Sequence, residues 1–192
     1  MAKRSGTSPY SKVMAANVGP IIPIRKQILT AADDTAVFSE VDLHLDFKQV
    51  FDIFKVRLFL SPSALTANPA KGLADVHAYL LGNPESTVDA DTVAQFIDSD
   101  VDMFYYYRDV FGYNEAGSAA VEQFFKYGGQ DDLDFKEPVT VSRNFQCAAV
   151  TNASADFIAY AVNARFVIYG RYRTAPQREW EDLMARERGL KK

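Results

Sequence analysis

The longest run of alternating apolar and polar residues covers positions 155–173, near the C-terminal end of the chain. Every second side chain in its central part is apolar, and Asn163 and Arg165 fall between them. A period of two residues is typical of a β-strand, in which successive side chains point to opposite faces. Because Val167 and Tyr169 make the second face partly apolar too, we expect a strand inside a sheet that is covered on both faces.

Shorter strand-like runs precede this strand and bring the predicted total to about eight. They cover residues 24–30, 36–47, 53–60, 75–81, 101–111 and 138–150, the last of which is long enough for two strands. Residues 119–127 fit a helix slightly better than a strand, and residues 128–134 are predicted to form a loop. Since no regular series of helices connects the strands, the pattern predicts an all-β antiparallel sandwich or barrel.

The end of the chain has the pattern of a short amphipathic helix. Its start, TAPQ at residues 174–177, is typical of a capping box with a proline in the first turn. Beyond it, Trp180, Leu183 and Met184 fall on one narrow stripe. We expect this stripe to dock on the sandwich or on a neighbouring copy, because an isolated helix this short is marginally stable in water.

The start of the chain has no comparable pattern. Residues 1–19 carry only scattered apolar side chains, too few to offset the entropy lost on ordering, so we expect an extended arm. The predicted domain organisation is therefore an arm over residues 1–19, a sandwich over 20–173, and a helix with a basic tail over 174–192.

Charge is distributed unevenly along the 192 residues, whose net charge is −4. Residues 1–26 carry +5, residues 171–192 carry +3, and the part between them carries −12. Basic ends on an acidic body suit contact with nucleic acid, a membrane surface or the acidic body of a neighbouring copy, although so few charges also arise by chance. The candidate arm contacts to a genome or to a neighbour are Lys3, Arg4 and Lys12.

Acidic residues offer one candidate metal site. Asp98, Asp100 and Asp102 have the spacing of the first ligands in a calcium loop, with Asp109 at the twelfth position. However, Met103 stands where such a loop needs glycine, and aspartate is shorter than the bidentate glutamate that usually closes it. We therefore expect a solvated acidic loop, and no metal or cofactor.

Motifs for covalent or nucleotide chemistry are absent from the sequence. It contains no G-x-S-x-G, no G-x-G-x-x-G before a helix and no P-loop, and its two histidines exclude a three-histidine zinc site. The single cysteine, Cys147, has apolar neighbours and is expected to be a buried hydrophobe. No signal peptide or membrane span is recognisable, so we expect a protein made in a cytoplasm. We predict no catalytic residues.

Three features together resemble the single jelly-roll capsid proteins of icosahedral viruses, above all the small ones from viruses of archaea and bacteria. They are the basic arm, the two-sided order of strands, and the ending PVTVSRNFQCAAV followed by FIAYAVNARFVIYGRYRTAPQREWEDLM. The resemblance implies an eight-stranded antiparallel jelly-roll sandwich with an N-terminal arm, a short C-terminal helix, and the last strand in the middle of one sheet. It also implies location in the virion, after synthesis in the host cytoplasm.

The function predicted first is a coat subunit that assembles with copies of itself through its side walls, arm and helix. A second coat protein and packaged nucleic acid are the further partners that this role suggests. The alternative is a lectin-like, calcium-dependent sandwich that binds sugars through its acidic loops or through Tyr105, Tyr106 and Tyr107. An enzyme with dispersed carboxylates ranks third. The fold does not decide among the three functions, because jelly rolls serve all of them.

Overall fold

The computed structural model describes residues 18–30, 36–62, 71–82, 103–116, 121–124, 129–152 and 161–187. These residues form nine strands and one helix. The strands are β1 (Ile22–Leu29), β2 (Val37–Val41), β3 (Gln49–Pro62), β4 (Lys71–Leu81), β5 (Met103–Ala116), β6 (Val121–Phe124), β7 (Gly129–Val141), β8 (Phe145–Asn152) and β9 (Val162–Thr174), and the helix is α1 (Gln177–Glu187).

The strands form two antiparallel sheets. The first sheet has the order β1-β9-β3-β7, and the second sheet has the order β2-β8-β4-β5-β6. The first strand pairs with the last, the second with the last but one, β3 with β7, and β4 with β5. This nested pairing is that of a long hairpin rolled into two layers, which is the jelly roll. The predicted fold class is therefore confirmed, with β6 as an extra short strand at one edge.

The hydrophobic core lies between the two sheets, on their inner faces. β9 contributes Val162, Ala164, Phe166 and Ile168, all fully buried, which is the alternation visible in the sequence. Tyr105 of the second sheet meets Phe166 edge to face, with ring centroids 6.5 Å apart. Contacts of this kind join the two layers and add to the free energy gained by burying apolar area.

β9 lies between β1 and β3, as the apolar character of both its faces predicts. The expectation that both faces are covered is wrong for the outer face, where Arg165 is exposed and Tyr169 is half-buried. The alternation of β9 is interrupted at Gly170, because a Cβ there would overlap the ring of Phe51 on β3. The sheet thus requires glycine at this position, next to an irregularity in the register of β3.

Three predictions of local structure are wrong. Residues 121–124 form a strand rather than a helix, and β7 starts at Gly129 inside the predicted loop. Both segments pair with long strands, so tertiary pairing outweighs an ambiguous local pattern. The strand predicted over 36–47 ends at Val41, because His44 has a φ angle of 47°, which a strand does not allow.

Candidate functional site

The structure describes only part of the candidate site residues. Trp180, Leu183 and Met184 all lie on α1, and each is half-buried. The other six lie outside the described residues: Lys3, Arg4, Lys12, Asp98, Asp100 and Asp102.

Arg173, at the end of β9, links α1 to the first sheet. Its Nε donates a hydrogen bond of 2.6 Å to Asp52 on β3, and its Nη1 donates one of 2.9 Å to Glu179 on α1. The hydroxyl of Thr140 on β7 donates to the other oxygen of Asp52, at 2.7 Å. The hydrogen bonds to Glu179 and then to Asp52 raise the pKa of Arg173 despite its partial burial. The buried carboxylate of Asp52 therefore has its charge compensated, and four elements meet at this point.

An aromatic contact lies at the same corner. Phe47, in the turn before β3, is 80% exposed, and its ring lies 6.0 Å from that of Trp180 in an edge-on arrangement. The amide of Ala175 donates a hydrogen bond of 2.8 Å to the carbonyl of Lys48 in that turn. The stripe that carries Trp180 thus faces the sandwich, and Phe47 still presents most of its ring to solvent.

A groove of about 670 Å³ runs between β7 and α1. Its walls include Pro138 and Val139 on β7, and Asp182 and Leu183 on α1. It therefore combines apolar and acidic side chains. α1 does not close over this part of the first sheet.

The described N-terminal residues approach the same corner. Val18 forms an antiparallel bridge with Arg173, and the amide of Gly19 donates a hydrogen bond of 2.9 Å to the carbonyl of Tyr172. This pairing is antiparallel, as it is between β1 and β9. The first described residues and the start of α1 therefore lie at the same end of β9.

The outer face of the second sheet carries a hydrogen-bonded charge cluster that no sequence motif indicated. Arg108 on β5 donates to both oxygens of Asp75 on β4, with its Nε at 2.9 Å and 3.2 Å and its Nη2 at 2.6 Å. His77 lies 3.3 Å from Asp75 through Nε2 and 3.0 Å from the Tyr106 hydroxyl through Nδ1. Asp75 and His77 are both buried. Burial alone would raise the Asp75 pKa, but hydrogen bonds from His77 and Arg108 outweigh it and lower the pKa to about 2.

The chain of carboxylate, imidazole and hydroxyl in this cluster has the order found in hydrolytic triads, but its chemistry differs. Its hydroxyl belongs to Tyr106, whose pKa is raised, mainly by burial, and a raised pKa makes a poorer nucleophile. The contacts instead hold β4 and β5 in register, because Arg108 stands opposite His77. We assign this cluster a structural role.

The tyrosine run does not form one binding surface. Tyr105 points inward and its hydroxyl donates to Asp131 at 2.8 Å, and the Tyr107 hydroxyl donates to Asp109 at 2.9 Å. Burial, followed by the bond to Asp109, raises the pKa of Tyr107 to about 12. Only Tyr106 lies on the outer face, which is the alternation that a strand imposes.

The part of the chain that the structure describes also bears on metal ligands, the cysteine thiol and membrane-spanning helices. Within those ranges no group of three or more histidine, cysteine, aspartate or glutamate side chains could hold a metal ion. Cys147 is buried between the sheets, as predicted, and burial raises the pKa of its thiol, which disfavours the reactive thiolate. Among the described residues no helix is both long and apolar enough to span a bilayer.

No protein-family model and no curated protein matches the sequence. Among solved structures, the chain is similar to Desmodium yellow mottle tymovirus, with a TM-score of 0.37 and 9% identity over 92% of this chain and 95% of that chain. It is also similar to the empty head of turnip yellow mosaic virus, with a TM-score of 0.35 and 11% identity over 92% and 90%. A third likeness is to the VP2 subviral particle of infectious bursal disease virus, with a TM-score of 0.24 and 13% identity over 80% of this chain and 38% of that one.

All three TM-scores lie below 0.5, so these likenesses carry no weight for fold or function. The jelly-roll assignment rests on the strand order within the described residues.

Proposed function

We propose that this chain is the coat subunit of a virus, a structural protein whose copies tile a closed shell. A jelly roll by itself does not determine function. The observation that carries the proposal is the end of β9, where Val18 and Gly19 pair with Arg173 and Tyr172 and where α1, which lines an open groove, begins. A rigid tile with its extensions attached at one point can connect to its neighbours without distorting its core.

The rigidity of the tile follows from its packing. The two sheets enclose a continuous core, and the nested pairing ties the first strand to the last. Arg173 and Asp52 extend that order to α1, so the helix has a defined position relative to the sheets. Subunits that must repeat the same contacts many times require such a defined geometry.

The exposed side chains at the corner are suited to contact with a second copy. Phe47 keeps most of its ring in solvent, and Leu183, on the same helix stripe as Trp180, lines the groove. Exposed aromatic and apolar groups rimmed by polar residues are typical of interaction surfaces. We propose that this patch, with Trp180 and Met184 of the same helix stripe, receives part of a neighbouring subunit.

Charge supports the arm as the connecting segment. The arm, residues 1–19, has three basic side chains and no acidic one, and residues 27–170 carry −12, so the arm of one copy complements the body of another. The same arm, through Lys3, Arg4 and Lys12, would reach packaged nucleic acid. With so few charges it neutralises only a few phosphates, so bridging between subunits and binding the genome are both parts of this proposal.

The remaining details are proposals of the same kind. We place the protein in the virion of an archaeal or bacterial virus, made in the host cytoplasm, with a second coat protein as a further partner. The calcium-dependent lectin remains a prediction, since its aspartates lie outside the described residues.

The first test is light scattering with negative-stain electron microscopy on the purified chain over a range of salt concentrations. Uniform shells, rings, pentamers or hexamers are expected. A monomer at every salt and protein concentration would contradict the coat function.

A second test removes residues 1–17 and keeps Val18, so that its bridge to Arg173 remains. We expect the thermal unfolding midpoint to be maintained and the yield of particles to fall. Trp180→Ala should lower the yield too, and Glu181→Ala, an exposed change on the adjacent residue, serves as its control. Shells formed normally without residues 1–17 would exclude the arm from assembly.

A further inference from the structure

The outer face of the first sheet contains a shallow depression of about 230 Å³. Three arginines line it, one from each of three neighbouring strands: Arg25, Arg57 and Arg165. The other lining residues are Phe59, Val167 and Tyr169. Cationic and aromatic side chains therefore share one small surface, on the opposite side of the sheet from the core.

The strand register explains why the arginines converge. Arg25 and Arg57 stand opposite Val167 from its two sides, so all three point outward in one row across β1, β9 and β3. Neighbouring strands are spaced by about 4.8 Å, which puts the Cα atoms of the two arginines about 10 Å apart. Arg165 lies two residues from Val167 along β9, directly opposite Phe59.

Charge is compensated at only one side of the depression. Arg57 donates a hydrogen bond of 3.0 Å to Asp132, and Lys55 forms ion pairs with Asp132 and Asp134 on the edge strand β7. Arg25 and Arg165 are exposed and form no ion pair with any residue of the described ranges. Within the described ranges these two guanidinium groups thus have no anionic partner, and each can hold a phosphate with two parallel hydrogen bonds.

The aromatic groups give the depression its second property. Phe59 is 37% exposed beside Arg165, and the guanidinium of Arg57 lies 5.9 Å from the centre of the Tyr169 ring. An exposed ring between cations is the arrangement on which nucleic-acid bases stack while their phosphates bind nearby. The flat faces of bases are accessible for this only where the strand is not base-paired.

From this geometry we propose that the outer face of the first sheet binds an unpaired segment of a polynucleotide, with Arg25 and Arg165 at the phosphates and Phe59 against a base. The alternative occupant is the acidic body of a second copy, which could also neutralise the arginines. A protein contact would have to remove three closely spaced cations from water, whereas phosphates along a strand already carry the matching charges. The site is separate from the arm and does not depend on shell formation.

The test measures binding of the full-length chain to fluorescently labelled oligo(dT), oligo(rU) and a DNA duplex by fluorescence anisotropy at several salt concentrations. Wild type should bind both single strands more tightly than the duplex. Arg25→Ala with Arg165→Ala should weaken single-strand binding at least about tenfold and make the slope of log K against log salt shallower by about 1.4, because two phosphate contacts are lost.

Three further variants distinguish the possible causes. Lys136→Ala with Arg178→Ala removes two exposed cations outside the depression and should leave the affinity within about twofold of wild type. Phe59→Leu should weaken binding to both single strands severalfold without changing the salt slope, since it removes a ring and no charge. A full-length Lys3→Ala, Arg4→Ala, Lys12→Ala variant measures the contribution of the arm separately.

The proposal is overturned if the Arg25/Arg165 variant binds single strands as wild type does. It is also overturned if that variant loses assembly while its affinity for oligonucleotides is unchanged, because the face would then be a contact between copies. A preference for oligo(dT) or for oligo(rU) would identify the kind of strand. Failure of the chain to form particles would contradict the coat function and leave this binding measurement valid.

Discussion

The two sheets have similar inner faces and very different outer faces. On the second sheet, Asp75, His77, Tyr79 and Leu81 are all buried although they point away from the core. On the first sheet, Arg25 and Arg165 are exposed and only Val167 between them is buried. On the outer face of the second sheet, the closed face, Asp75 is paired with Arg108 and His77, whereas on that of the first sheet, the open face, Arg25 and Arg165 have no ion pair within the described residues. The comparison indicates that the closed face stabilises the fold and the open face is available for function.

The largest difference in the free energy of unfolding is expected between two variants that each remove one carboxylate, one on each outer face. Asp75→Ala leaves buried His77 without this hydrogen-bond partner and Arg108 without its ion pair, and should lower the free energy of unfolding by about 3 kcal/mol in urea titration. Asp132→Ala on the open face is the matched change and should hardly move the urea midpoint, because its partners Lys55 and Arg57 can turn to water. Equal losses in the two variants would remove the distinction between the faces.

The second prediction is that the fold loses stability at low pH through Asp75. The pKa of Asp75 is about 2 in the folded chain and about 3.9 in an unfolded one, so the folded state favours the ionised carboxylate. Its stabilising contribution, on the order of 2 kcal/mol, is present above pH 4 and is lost as the pH falls towards 2. Unfolding measured between pH 5 and 2 should show this loss in wild type and a flatter profile in Asp75→Asn. Parallel profiles would show that Asp75 is not the group responsible.

Removing a single tyrosine hydroxyl is expected to change the free energy of unfolding by a smaller amount. Tyr106→Phe removes the partner of His77 Nδ1 and should cost about 1 kcal/mol by chemical denaturation. Tyr169→Phe makes the same change on the open face, where water compensates, and should cost less. If the order is reversed, the hydroxyl on the open face contributes more to the fold than the one on the closed face.

The smallest effect is expected for Arg165→Ala, which should change the free energy of unfolding by no more than about 0.5 kcal/mol, since the side chain is exposed and has no ion pair within the described residues. Thermal unfolding with and without oligo(dT) checks this. The midpoint without the oligonucleotide should stay the same, and the rise that the ligand produces should become smaller than in wild type. A large loss of stability would make Arg165 part of the fold rather than of a binding surface.

Several elements could be predicted because their patterns have one interpretation. The alternation that ends in β9 is long, and both of its faces carry apolar groups, so an interior strand was the expected outcome and is the observed one. The stripe with Trp180 likewise predicts the short helix at the end of the chain. The prediction for β6 is wrong because its apolar residues fit two periods, and that for the start of β7 because its polar and glycine-rich sequence favours a loop; pairing with β5 and β3 makes both segments strands.

The charge cluster on the second sheet and the three arginines on the first sheet are harder to predict than the strands. The spacing of Asp75 and His77 by two residues shows that they share a face, and this was the available signal. Arg108 lies 33 residues further along the chain, and nothing local shows that the register of β4 and β5 places it opposite. The same holds for Arg25, Arg57 and Arg165, which are distant in sequence and adjacent only through β9.

The sequence by itself determined the fold class, the long strand near the C-terminus, the short helix after it, and the separation of basic ends from an acidic body. Hydrophobic period and charge are local properties, and they can be measured along the chain without knowing its partners. Only the tertiary structure decided which outer face is closed, that Asp52 and Arg173 hold the helix, and that three arginines surround one depression. These depend on register and on what packs against each face, and both come from pairings between segments far apart in sequence.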